Sequence, residues 1–136
     1  MKVDILKQFS VFMPNRPGAL SGLARVFSEK NIDILGLASE VRDDSGVVRI
    51  AVGADADVSA ILSQAGFSSV ETNLISVDLE GRPGELNRIA KALADGKINI
   101  TTVYGTSASG GTSRILVAVE NVQKARALLE SPARAA

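Results

Sequence analysis

The chain contains no cysteine, no histidine and no tryptophan, and only 4% of its residues are aromatic. Without cysteine no disulfide forms, so nothing in the sequence marks an oxidising compartment. Without cysteine or histidine the usual zinc, copper and iron–sulfur ligand sets are missing. The Ser–His and Cys–His nucleophile pairs are excluded with them, so the expected catalytic, metal and cofactor sets are all empty. An excess of charge is lacking too, since 15 Lys and Arg balance 15 Asp and Glu. The cations are interleaved with acids and form no basic stripe, which argues against a nucleic-acid partner held by clustered phosphate contacts. No apolar run approaches the roughly 20 residues that span a bilayer. The charged start, Met1-Lys2-Val3-Asp4, does not read as a signal peptide. The expected setting is cytoplasmic, with no membrane partner.

What is present is aliphatic. Hydrophobic residues make up 46% of the 136 positions, supplied mainly by Ala, Val, Ile and Leu. This length suits one ordinary domain or two very small ones. Zero formal charge weakens colloidal repulsion and favours self-association.

The chain also repeats itself, a pattern worth finding before any other. Asn15-Arg16-Pro17-Gly18-Ala19-Leu20 returns as Gly81-Arg82-Pro83-Gly84-Glu85-Leu86, a shift of 66 positions. The same shift pairs Ser10-Val11 with Ser76-Val77 and Ile32-Asp33-Ile34 with Ile98-Asn99-Ile100. Two domains follow, 1–72 and 73–136.

Each copy reads as the same string of elements. Phe9–Met13 suits a buried strand, Pro14–Gly18 breaks it, and Leu20, Leu23, Ala24 and Phe27 recur at helical spacing. Lys30-Asn31 stops that helix. Ile32–Val41 and Val47–Val52 are strands around a polar turn at Arg42–Gly46. Asp55 or Asp57 caps a second helix, which Gly66 closes. In the second copy the strands are Leu74–Leu79, Ile98–Tyr104 and Arg114–Val119. Its helices bury Leu86, Ile89, Ala90 and Leu93, then Val122, Ala125, Leu128 and Leu129. The expected fold is α+β: two ferredoxin-like βαββαβ modules in tandem, each an antiparallel sheet with helices on one face.

The closing strands are the open point. Phe67–Glu71 serves the first copy, whereas Ser131–Ala136 is alanine-rich, holds a proline and makes a poor strand. The shift of 66 places Lys2–Leu6 on Ser68–Thr72. Two readings remain: the N-terminal segment closes the second sheet, so that the modules exchange strands, or it frays beyond a long first strand.

A strand that turns through proline and glycine into a helix exposes the first helical N–H groups, which lack intrahelical acceptors. With the helix dipole they favour an anion such as a carboxylate. Pro17 fits the first helical turn, and Gly18 lets a ligand approach the backbone. Asn15 and Asp33 offer oxygen acceptors for an ammonium group. The plain alternatives are that Asn15 caps the helix, that Asp33 is solvated, and that Arg16 and Arg82 face water or a partner.

Turn, helix and second strand together resemble the ACT domain, twice over and across essentially the whole chain. The resemblance implies a βαββαβ fold, side-by-side pairing, and an amino acid or similar effector at the interface of paired domains. It assigns ligand contact to Asn15, Arg16, Pro17, Gly18, Ala19 and Leu20 with Asp33 and Ile34. In the second copy it assigns Gly81, Arg82, Pro83, Gly84, Glu85 and Leu86 with Asn99 and Ile100. Gly81 and Asn99 replace Asn15 and Asp33, so the first copy is expected to hold an ammonium better unless Glu85 turns inward.

The expected function is that of a non-enzymatic regulator that binds an amino-acid effector as a homodimer or higher homo-oligomer. The alternative is a non-catalytic regulatory or structural subunit that docks on a biosynthetic enzyme without its own ligand. A small ferredoxin-like enzyme fits poorly, lacking His, Cys and a defined pair of carboxylates. Thr106–Ser113 reads as a hairpin loop, since it lacks the Gly-Lys-Ser/Thr ending of a phosphate loop. Asp43, Asp44, Asp55 and Asp57 match no calcium-loop spacing, and Tyr104 reads as a strand residue.

Overall fold

A computed structural model describes residues 2–80, 83–107 and 113–130. Among them lie β1 (Lys2–Pro14), α1 (Ala19–Glu29), β2 (Gly36–Arg42), β3 (Ser45–Gly53), α2 (Ser59–Gln64) and β4 (Ser68–Leu79). They continue with α3 (Glu85–Asp95), β5 (Ile100–Ser107), β6 (Ser113–Val119) and α4 (Val122–Glu130). Gly81, Arg82, the tail Ser131–Ala136 and the middle of the Thr106–Ser113 loop lie outside the described residues.

The chain forms two compact units: Lys7–Thr72, and Met1–Leu6 together with Asn73–Ala136. The first module orders its strands β2-β3-β1-β4, and the second β1-β4-β6-β5. Both follow the ferredoxin-like pattern, in an antiparallel α+β arrangement. The sharing of β1 and β4 has a simple cause: each is one strand too long for one module. The start of β4 closes the first sheet before the same strand opens the second. Lys2–Leu6, grouped with the second module, closes that sheet in return. Val3, 5% exposed, belongs to the core of Ile75, Val77, Ile89, Leu93, Val117 and Leu129, and Ile5 packs against the same cluster. The strands are therefore exchanged, and the frayed-tail reading falls.

The first core gathers Phe9, Val11 and Met13 of β1, Leu23 and Phe27 of α1, Val48, Ile50 and Val52 of β3, and Leu62 of α2. Alternation along β1 and β3 explains this, because period-two apolar residues share the face that the helices cover. Helix ends obey local chemistry. Asn31, at φ 54, terminates α1, with Ile32 N–H donating to Phe27 O and Asn31 N–H to Ser28 O. That is a Schellman closure, and Gly66 with Phe67 repeats it after α2.

Several boundaries differ from expectation. β2 starts at Gly36 and β5 at Ile100, because the Schellman turns consume the residues after α1 and α3. Neither Asp55 nor Asp57 caps α2; its cap position is Val58, without a side-chain hydrogen bond. Leu20 and Leu86 leave the buried stripes and stand 46% and 54% exposed. They sit one residue into their helices, where the chain has just emerged from the turn.

Candidate functional site

The bend after β1 is a type II turn. Arg16 O accepts from Ala19 N–H at 3.3 Å, Pro17 holds the second position, and Gly18 the third at φ 86, ψ −10. Only glycine takes that conformation without strain. Pro17 thus precedes the helix rather than entering its first turn, and Gly18 is the cap residue. A Cβ at Gly18 meets nothing within 4 Å, so Gly18→Ala carries only the backbone cost. A loss of about 1–2 kcal/mol is expected in chemical denaturation, with no change in the folded spectrum.

Ala19 N–H is used by the turn and Gly22 N–H by Gly18 O. The N–H groups of Leu20 and Ser21 are left over, since their i−4 partners would have to come from the turn. No acidic side chain occupies the first turn of α1 and no side chain caps it. The start of this helix keeps its partial positive charge, and Arg16, which forms no ion pair among the described residues, adds to it.

Arg16 and Leu20 border a cleft of about 150 Å³. Its walls include Asn15, Arg16, Ala19 and Leu20 from the turn and helix, and Ser39, Val41 and Val48 from β2 and β3. Ser39 and Val41 face the helix side because Ser39 pairs with Val48, a residue of the helix-side core. The cleft therefore combines free amide donors, one cation, one hydroxyl and aliphatic walls, a set that suits a small carboxylic acid with an apolar body.

Asn15 neither caps α1 nor stands free. Its backbone N–H donates to Asp44 O at 2.9 Å and its Nδ2 to Asp43 O at 3.0 Å. Both bonds clip the turn to the β2–β3 hairpin. Truncating the side chain, Asn15→Ala, removes one exposed hydrogen bond and is expected to cost about 0.5–1 kcal/mol in denaturant titration.

Asp33 does not join this group. It is exposed and precedes β2, whereas the turn meets the far end of β2 at the hairpin. Seven strand residues at about 3.3 Å each separate the two ends. Ile34 packs against the first core instead of lining the cleft. The acids that share the turn's end of the module are Asp43 and Asp44. Their proximity to the turn has no counterpart in sequence spacing, since it arises only when β1 aligns with the hairpin.

The second copy repeats the backbone. Gly84 caps α3 at φ 92, ψ −10, and Arg88 N–H donates to Gly84 O. Pro83 and Leu86 are exposed. Asn99 is exposed before β5, at the far end of α3 from Gly84, and Ile100 packs on the second core. The chemistry differs. Glu85 occupies the first turn of α3 and pairs with Arg88 at 3.0 Å, its side chain only 15% exposed. Arg88 Nε is buried without a hydrogen-bond partner among the described residues. A carboxylate of the chain itself already stands where the first copy has Ala19.

Among the described residues no group of His, Cys, Asp and Glu could hold a metal ion, and no helix is long and apolar enough to cross a membrane. No curated protein matches the chain. Among solved structures, a protein of Bacteroides thetaiotaomicron is similar at 22% identity and TM-score 0.81, over 94% of this chain and 88% of that one. The ligand-free regulatory subunit of aspartate kinase from Thermus thermophilus is similar at 16% identity and TM-score 0.66, over 96% and 95%. The regulatory subunit from Thermus flavus is similar at 16% identity and TM-score 0.60, over 95% and 94%. These TM-scores establish a shared fold. The ACT domain pair family matches residues 4–131, the same span over which turn, helix and strand recur twice, and this chain belongs to that family.

Proposed function

We propose that the chain is a non-catalytic regulator that binds an amino-acid effector at the first module's cleft. The observation that carries this reading is the open start of α1, with two amide donors and no acid of its own beside an aliphatic cleft. The effector's carboxylate meets the amides of Leu20 and Ser21, and its side chain meets Leu20 and Val41. Its ammonium turns toward the hairpin end, where Asp43 and Asp44 supply negative charge. The second module, with Glu85 already at the helix start, repels a carboxylate and serves as structure.

Pairing completes the cleft. Leu37 and Val41 of edge strand β2 are 43% and 52% exposed on the helix side, and Val41 lines the cleft with exposed Leu20. An open edge and an apolar strip invite a second copy. A ligand buried there stabilises the pair by its differential affinity for the paired state. The signal then passes to another polypeptide. The aspartate kinase regulatory subunits among its structural neighbours make an amino-acid-biosynthetic kinase the first class to test.

A thermal-shift screen of the standard amino acids tests the reading. An effector at 100 times its Kd adds about 2.7 kcal/mol of stability, and Asp33→Ala is expected to leave that shift unchanged. No shift with any amino acid, together with an enzyme that co-purifies, would instead support a docking subunit without a ligand.

A further inference from the structure

A second cleft, of about 330 Å³, opens on the opposite face of the first module's sheet. Phe12, Glu40, Arg42, Ser45 and Val47 line it. Strand alternation puts them there: Val11 and Met13 flank Phe12 and point into the helix-side core, as does Val48 beside Val47. Glu40 pairs across the sheet with Val47, and Arg42 with Ser45. Phe12 is 51% exposed. A scattered exposed apolar residue is ordinary; an aromatic floor beneath charged walls in a cleft of ligand size is not.

The charge balance selects the ligand. Glu40 is engaged by Arg49 at 3.4 Å. Arg42 forms no ion pair among the described residues, so the cleft carries one uncompensated guanidinium beside an aromatic ring. The sister module shows that the fold does not require this. Its equivalent of Phe12, shifted by 66 positions, is Asp78, which bonds Arg114 at 3.2 Å and lies 3.9 Å from Lys2.

We infer that this cleft is a separate binding site for an aromatic monocarboxylate that lacks an amino group. The ring lies on Phe12 and Val47, and the carboxylate takes the forked donors of Arg42. An α-ammonium is disfavoured, because Glu40, the one carboxylate that lines the cleft, is already paired, and Asp43 and Asp44 of the hairpin are not among its walls. The two clefts share Met13, Gly46 and Val47 in their walls, but Phe12, Glu40, Arg42 and Ser45 border this one and not the effector cleft.

The test is a titration of the full chain with 3-phenylpropionate, followed by backbone amide NMR, with 2-phenylethylamine as the cationic comparator. Saturable shifts are expected around Phe12, Ser45 and Val47, with the amine at least about tenfold weaker. Arg42→Gln should weaken 3-phenylpropionate by about tenfold or more and Phe12→Ala should remove binding, while Leu20→Glu changes nothing. Both altered residues are exposed, so the variants fold. The inference is overturned if shifts cluster on Ala19–Gly22, if the Arg42 and Phe12 variants bind as the parent does, or if no saturable shift appears up to about 10 mM.

Discussion

Removal of residues 2–6 is expected to unfold the second module, although the whole first module separates them from the rest of the unit they belong to. Val3 is 5% exposed in the second core and Ile5 packs on the same cluster. Full burial of an aliphatic side chain contributes about 1.5–3 kcal/mol, so buried Val3 and partly buried Ile5 together account for about 2–4 kcal/mol. The deletion also strips β4 of a neighbour and leaves its backbone groups as an edge. A small domain has about 5–15 kcal/mol in all, and one this size sits low in that range. Hydrogen exchange on the truncated chain should show lost protection at Leu74–Leu79 and Ser113–Val119, with the amides of α1 and β3 protected as before. Val3→Asp places a lone charge in the same core and should produce the same pattern without shortening the chain. Unchanged protection in both variants would mean that the second sheet closes without this strand.

The effector cleft yields the second large effect. Leu20→Glu puts a carboxylate beside the leftover amides of α1, as Glu85 does at the start of α3. Because Leu20 is 46% exposed, little apolar burial is lost. An acid in the first turn interacts favourably with the helix dipole, by about 0.3–1 kcal/mol. Stability should therefore hold or rise. Effector affinity should fall by about 100-fold, or about 2.7 kcal/mol, through loss of charge-assisted bonds and repulsion between two carboxylates. Calorimetric titration with the amino acid found by thermal shift, run beside denaturation, separates the two quantities. A variant that binds as tightly as the parent would place the ligand elsewhere.

The repeat was legible because local chemistry makes it. Pro-Gly turns, helix stripes and β-branched runs act over a few residues, so the ferredoxin-like order, the break between the first strand and helix and most of both cores could be read from spacing. Strands start later than the β-branched runs at Ile32 and Ile98, because Schellman closures take residues that look like strand. Leu20 and Leu86 were misassigned for a related reason: helical periodicity says which residues share a face, not where the covering layer ends.

Sequence by itself determined that a strand–turn–helix pattern is duplicated in a chain lacking histidine, cysteine and net charge, because composition and short-range pattern need no tertiary contact; the ACT family came from the resemblance of that pattern. Only the tertiary structure decided which acids stand near the turn. Asp33 shares a motif with Asn15 yet sits a strand's length away, while Asp43 and Asp44 meet Asn15 through backbone bonds. It also decided that Lys2–Leu6 serves the second module. Alignment between strands distant in sequence depends on which apolar faces can be buried together, and that is a property of the assembled core.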